Sequence, residues 1–388
     1  MQTNNKVDGF LESVNRNVTI WKKLRIRTKI LIPTQRRGGL MRPILKTTTA
    51  LIAGAMIGLP AHAQSITITT AGGEYGAAMK EAMWGPAAAE LGLDVREETQ
   101  SDGLAAIRMQ VISGSVTTDV VHLGSPEGAQ AAELGLLEPL DYSVIDGEAL
   151  PEGAHSDHCY PFDSYGTVMA WNTRTYPEGG PANWGEFWDV EKFPGKRALR
   201  ANAQDLIEIA LLSEGVAPAD VYTVLSEEGG IERAIARLAE LKPAVSVWWT
   251  SGAQSAQLLK DGEADLVITW NGRAQSVIDD GGGVDYSFKG SIIGTDCLGV
   301  PKGAPNIAAA MKLIAAMTTP EREARLTDYI AYGPVNTAAY EGGLIPGDRL
   351  KQLATAPGNL DSSVFSRADW WTAHGEEAQI AFDEMMNN

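Results

Sequence analysis

Residues 245–288 read VSVWWTSGAQSAQLLKDGEADLVITWNGRAQSVIDDGGGVDYSF, and their alternation decides the fold class. Val245 to Trp248 has the β-branched and aromatic texture of a strand. Ser251 and Gln254 stand at capping-box spacing ahead of a helix that runs to Leu259. Leu266 to Trp270 returns to strand, Arg273 to Asp279 to helix, and Val284 to Phe288 to strand again. Short strands alternating with helices build α/β layers, not sandwiches or bundles.

The same alternation extends in both directions. Towards the N-terminus, Ser65–Ala71, Asp94–Glu98 and Asp119–His122 read as strands, with helices expected over Ala77–Leu91, Leu104–Ile112 and Pro126–Leu134, the last with Pro in its first turn. Tyr165–Trp171 is a strand, Arg197–Arg200 is extended, and Gln204–Glu214 and Ile231–Leu241 are helical. After Thr295–Val300 come helices over Asn306–Met317, Pro320–Ile330 and Asp369–Met386, too helix-rich for a third sheet. Two α/β lobes are expected: residues 64–165 with 290–388, and residues 166–289. Two crossing strands, near Tyr165–Trp171 and Ser291–Val300, would join them. No internal repeat occurs, which disfavours an adhesive or structural array.

A length of 388 residues fits two or three compact units, and 44% hydrophobic with 21% charged residues is ordinary globular composition. The charge is uneven. Residues 1–63 carry 11 Lys and Arg against Asp8 and Glu12, whereas the other 325 residues carry 21 basic and 47 acidic side chains. So acidic a body repels phosphate backbones, which excludes nucleic acid as a partner of the folded part, and it favours a small cation.

The basic front end contains MRPILKTTTALIAGAMIGLPAHAQ at 41–64: a short basic start, an apolar run over Thr47–Pro60, then Ala61-His62-Ala63. That is the order of a cleavable secretory signal, with cleavage expected after Ala63 and export to the periplasm. Residues 1–40 read as an upstream extension; the competing reading is an uncleaved anchor. Cys159 and Cys297 form an even pair in an oxidising compartment, so one disulfide or two buried thiols are the alternatives. Both sit at the expected crossings.

Catalytic arrangements are missing. The chain has no HExxH, GxSxG, Walker or GxGxxG motif, and His155, His158 and Cys159 lack the further ligands that a zinc site needs. No cofactor, no metal and no enzymatic activity are expected. A hydrolase built on Asp205 with Glu208, or Asp279 with Asp280, is the rival reading, but neither pair comes with a nucleophile. Glu208 is expected at the solvent.

Aromatic and acidic residues at strand ends are more informative. Trp248-Trp249 and Trp270 each end a strand and open a helix, where open α/β sheets place their ligands. Tryptophan faces attract cations, although Trp248 and Trp249 could equally be core. Asp296 in the second crossing strand, Asp205 at a helix start, and Glu74 with Tyr75 after the first strand could offset the lost hydration of an ammonium. Asp205 could instead favour its helix N-terminus.

Six stretches carry a family resemblance: TTAGGEYGAAMKEA (69–82), DSYGTVMAWNT (163–173), ANWGEFWDVEKFPGKRAL (182–199), DLVITWNGRA (265–274), GTDCLGVPKGAPN (294–306) and YGPVN (332–336). Over 65–388 the chain resembles the periplasmic solute-binding proteins of ABC importers, in their spermidine/putrescine subgroup. The resemblance implies the type II two-lobed fold and a monomer that closes on a small amine. The loaded trap would then deliver its amine to an ABC permease and its ATPase in the inner membrane. It implies pocket positions at Glu74, Tyr75, Asp205, Trp270 and Asp296, to which the residues' own placement adds Trp248 and Arg273 as candidates.

Several positions depart from the polyamine pattern. Gly124-Ser125-Pro126 replaces a serine and an aromatic, Asn202 replaces a carboxylate, and Gly294 replaces an aromatic. Arg273 directly follows Trp270-Asn271-Gly272, and Arg200 precedes the Asp205 helix. A permanent guanidinium opposes a second ammonium but welcomes a carboxylate. The leading expectation is therefore a polyamine. The alternative is an ω-amino acid such as 4-aminobutyrate with its carboxylate on Arg273, unless Arg273 points out of the cleft or pairs with Asp205.

Overall fold

In the computed structural model, which describes residues 64–388 apart from Ser101 and Glu152, β1 (Gln64–Thr70) pairs in parallel with β2 (Leu93–Thr99). The proposed signal and the N-terminal extension, residues 1–63, lie outside the described residues. The connection from β1 to β2 is helical, Gly73–Met79 and Gly85–Leu91 flanking a π-helical turn at Lys80–Trp84. Ile68 bridges Val120, which joins this pair to β3 (Val121–Gly124).

Two long strands then organise the rest. β4 (Cys159–Asn172) is buried at every residue, and it runs antiparallel to β8 (Val284–Gly299) from Cys159↔Gly299 to Asn172↔Val284. β3 pairs with the far end of β8, ending at Gly124↔Asp296. On the other side β4 pairs with β7 (Leu266–Trp270), followed by β5 (Arg197–Arg200) and β6 (Val245–Trp249) in parallel. Short β9 (Gly333–Pro334) adds to β4 and β10 (Val364–Phe365) to β8. The segments expected as two strands, Val284–Phe288 and Thr295–Val300, are thus one strand. Gly290, at φ 73°, lies in the irregular stretch 288–291, where the β4–β8 register shifts between Thr167↔Ile292 and Met169↔Ser287.

The two largest buried clusters lie towards opposite ends of the β4–β8 pair. The first gathers Ile66, Met79, Val120, Phe162 and Leu298 with Leu313 and Ile314 of the Ile307–Met317 helix. The second gathers Trp184, Phe187, Leu199, Ile207, Leu238 and Ile268. The last helix, Ala368–Asn387, packs on the Ser125–Glu133 helix and also buries its Trp370, Trp371 and Phe382 in the second core. Its aromatic face finds its apolar partners there, and Trp371 Nε1 donates to Glu208 Oε1 at 2.9 Å.

Glu208 itself is buried, contrary to its expected place at the solvent. Its Oε1 also accepts from Tyr222 at 2.8 Å, and burial raises its carboxyl to about 8. Cys159 and Cys297 are bonded, with Cα atoms 5.4 Å apart. The Ser125–Glu133 helix lies directly over that bond. A Cβ at Gly128 would come within 2.6 Å of Cys297 Sγ and 2.9 Å of Cys159 Sγ.

Candidate ligand site

The ends of strands from both halves converge on one cleft, which encloses about 610 Å³ with its mouth included. From the first half come Tyr75 in the turn after β1, His122 and Gly124 on β3, Glu127 on the following helix, Tyr165 on β4, Asp296 on β8 and Tyr332. From the second come Arg200 at the end of β5, Gln204, Trp270 at the end of β7, and Arg273. Local sequence explains the placement. Gly72 and Gly73 adopt φ 66° and 60°, turning the chain so that Tyr75 enters the interior at 1% exposure. Trp270 is the N-cap of the Asn271–Asp279 helix, so Arg273 falls in its first turn, facing the cleft.

One end of the cleft is acidic. Asp296 Oδ2 lies 3.1 Å from His122 Nε2 and 3.3 Å from the Tyr75 hydroxyl, which donates to Asp163 Oδ2 at 2.8 Å. Asp163 is fully buried, and its Oδ1 has no hydrogen-bond partner. Burial, and then the charge of Asp296, raise the Asp163 carboxyl well above its usual range. Burial also raises Glu127, against the opposing pull of Arg200.

Two guanidinium groups line the same cleft. The Arg200 guanidinium stacks over Trp270 at 5.2 Å from the ring centroid. Arg273, 1% exposed, lies 5.6 Å from the centroid of Tyr75, and its Nε and Nη1 have no hydrogen-bond partner. A buried guanidinium with unmet donors is costly, and an anionic group in the cleft would satisfy it. Space for this arrangement depends on Gly252, where a Cβ would stand 2.7 Å from both Arg273 Nε and Trp270 Cζ3.

Four of the residues expected here, Tyr75, Trp270, Arg273 and Asp296, meet in the cleft; Glu74, Asp205 and Trp248 do not line it. Glu74 is exposed, because the turn that buries Tyr75 leaves its neighbour on the outer face. Asp205 is buried behind the lining, in the left-handed region at φ 70°, and accepts from Thr167 Oγ1 at 2.6 Å. Trp248 points to the opposite face of β6 and packs edge-on against Phe382, while Trp249 turns inward against Trp270 at 5.2 Å.

His122, Glu127, Gln204, Asp163 and Tyr332 escaped the sequence reading of the site. Tyr332 opens the YGPVN stretch, which was the one available signal. Tyr165 fills the space above Gly294, its register partner, where an aromatic was expected.

The carboxylate pairs of the rival hydrolase are engaged elsewhere. Asp279 accepts from Gln275 and Arg349, Asp280 binds Lys260 at 2.7 Å, and Glu208 holds Tyr222 and Trp371. Among the described residues no cluster of three His, Cys, Asp or Glu could hold a metal, and no helix is long and apolar enough to cross a membrane.

Residues 86–355 match the family described as bacterial extracellular solute-binding protein. The chain belongs to that family. This solute-binding protein is 34% identical over 324 residues to the gamma-aminobutyric acid-binding protein of Pseudomonas aeruginosa, covering 83% of this chain and 91% of that one. To the spermidine/putrescine-binding periplasmic protein of Escherichia coli it is 26% identical over 215 residues, 53% of this chain and 60% of that one.

Among solved structures it superposes on MotA of A. tumefaciens B6, in complex with glucopine, with a TM-score of 0.81 and 39% identity over 83% of this chain and 99% of that one. On a GABA receptor the TM-score is 0.73 at 31% identity, over 83% and 97%. The two-lobed α/β fold and the role of an ABC solute-binding protein follow. The solute-binding protein serves transport, carrying a small ligand to a permease, and is not an enzyme.

Proposed function

We propose that this solute-binding protein captures an ω-amino acid such as 4-aminobutyrate, with the carboxylate on Arg273 and the ammonium at Asp296. The observation that carries the reading is the buried Arg273 guanidinium, which faces the cleft with Nε and Nη1 unpaired. A polyamine would bring a second ammonium into a cleft that also holds Arg200 and Arg273, whose like charges oppose it. Similarity to a gamma-aminobutyric acid-binding protein supports the same choice. The polyamine expectation therefore gives way to its alternative.

Tyr75, Trp270, Arg200, His122 and Tyr165 complete the pocket in this reading. Closure of the lobes about β4 and β8 would exclude water and couple capture to docking on the permease. Export by the 41–63 signal would place the protein in the periplasm.

Calorimetry with 4-aminobutyrate, glycine betaine, putrescine and spermidine tests the proposal, with Arg273→Ala alongside. Binding of 4-aminobutyrate that weakens at least about thirtyfold in the variant is expected. Truncating one partner of a buried charge pair costs about 2–5 kcal/mol. Diamine binding retained or improved in Arg273→Ala would overturn it.

A further inference from the structure

Asp205 is the N-cap of the Leu206–Ser213 helix, yet its side chain makes no capping bond there. A carboxylate at that position ordinarily accepts from the first free N–H groups of its own helix. Here Oδ2 accepts instead from Thr167 Oγ1 on β4, at 2.6 Å, and Oδ1 has no hydrogen-bond partner although the residue is 2% exposed. At φ 70° Asp205 is also the one non-glycine residue, among those described, with its backbone in the left-handed region. The backbone costs stability through its Cβ, and the bare buried oxygen through lost hydration. Burial raises the carboxyl, against the opposing pull of the Thr167 bond and the Arg200 charge. Such costs at a residue that does not line the cleft call for a function other than stability.

The order of strands supplies one. β7 lies between β4 and β5, and Thr167 on β4 is the register partner of Trp270, the last residue of β7. Arg200 is the last residue of β5, and its guanidinium stacks over Trp270. The turn at 201–205 runs from Arg200 to Asp205, so the bond from Asp205 to Thr167 reaches across the end of β7 at the level of Trp270 and ties that turn back to β4. The preceding β4 residue holds the other flank of Trp270: the Gly166 N–H donates to Oδ1 of Asn271, its chain neighbour, at 2.8 Å. Two consecutive residues of β4 thus anchor both partners of the Arg200–Trp270 stack.

We infer that Asp205 is a positioning residue of the cleft, which through Thr167 fixes the turn after β5 and so holds the Arg200 guanidinium over Trp270. Asp205 itself touches no ligand. Without the bond the turn gains freedom, the guanidinium leaves the indole face, and the cleft loses the wall that these two side chains form together. That role serves any small ligand of the cleft, and only the choice of 4-aminobutyrate as a probe rests on the ω-amino acid reading.

Near-UV circular dichroism of the ligand-free protein reads the surroundings of Trp270, and calorimetry with 4-aminobutyrate reads the consequence. Thr167→Val removes the donor at nearly unchanged shape. Asp205→Gly removes the acceptor and suits the left-handed backbone, and Asp205→Asn keeps an acceptor and tolerates that backbone. Thr167→Val and Asp205→Gly are expected to change the tryptophan band alike, with no further change in the double variant, while Asp205→Asn keeps the wild-type band. The change should vanish when the same substitutions are compared in a Trp270→Phe background. Affinity should fall about tenfold in Thr167→Val and Asp205→Gly, the upper range for one hydrogen bond, and far less in Asp205→Asn. A wild-type band in Thr167→Val and Asp205→Gly overturns the inference, whatever their melting temperatures. A change that persists in the Trp270→Phe background also overturns it, because Asp205 then acts on another aromatic residue. Unaltered affinity in both variants, with the wild type binding, overturns the role in the cleft. A wild-type protein that does not bind 4-aminobutyrate overturns the ω-amino acid reading, and the spectra still decide the role of Asp205.

Discussion

Asp163 and Asp296 are register partners on adjacent strands, and the Tyr75 hydroxyl lies between them, 2.8 Å from one carboxylate and 3.3 Å from the other. Two carboxyl groups brought together in the interior do not both ionise readily, and burial with the charge of Asp296 raises Asp163. An ammonium arriving beside Asp296 offsets that charge and lowers Asp163 again, so a proton leaves as the ligand enters. The bound state then holds fewer protons than the free one, and affinity should rise with pH. Calorimetry in two buffers of different ionisation enthalpy should give different apparent heats, and Asp163→Asn should remove the difference. Equal heats in the wild-type protein would exclude proton release.

Gly252 is expected to control affinity without controlling stability. Alanine at this helix position gains up to about 1 kcal/mol of helix propensity. Its Cβ, however, would press on Arg273 Nε and Trp270 Cζ3, each 2.7 Å away. Gly252→Ala should weaken 4-aminobutyrate binding at least tenfold with a melting temperature at or above that of the wild type. Unchanged affinity would mean that Arg273 and Trp270 need not hold their observed positions to bind.

Glu208 predicts a pH dependence of stability. Its carboxyl is raised from 4.5 to about 8, with burial as the largest cause and the charge of Asp205 second. Between those values the folded protein keeps a proton that the unfolded chain releases, so stability falls as pH rises through that window, by an amount on the order of a few kcal/mol. Glu208→Gln retains an acceptor for Tyr222 and Trp371 and removes the titration. Its stability should gain on that of the wild type between pH 5 and pH 8, as measured by urea unfolding. Parallel curves would show that Glu208 does not titrate there.

The strand ends and helix starts of the second half were legible because their signals are local. Ser251 Oγ does accept from the Gln254 N–H, at 3.3 Å, and Trp270 does end a strand and open a helix. Tyr75 and Arg273 were identifiable for the same reason, each standing in the first turn of a helix, and Asp296 by its place in a crossing strand. Trp248 misled because adjacent residues of a strand face opposite ways, and the sequence does not say which of Trp248 and Trp249 faces the cleft. Asp205 misled because a carboxylate at a helix start has the same sequence whether it lines a pocket or accepts from Thr167 one layer behind it.

By itself the sequence determined the α/β class, the two long crossings with their cysteines, and a pocket that mixes arginine with carboxylates. All of these follow from local periodicity, from turn chemistry and from charges fixed by residue type. Tertiary structure alone decided which groups share the pocket. His122 with Glu127, and Arg200 with Gln204, come from two distant stretches whose meeting depends on the pairing of β3 with β8 and of β5 with β6 and β7. Tertiary packing also buried Trp370, Trp371 and Phe382 of the last helix in the second core, where they find apolar partners. Pairing between distant strands and the choice of a burial partner are properties of the whole chain, since many arrangements satisfy the same local pattern and the packing free energy selects among them.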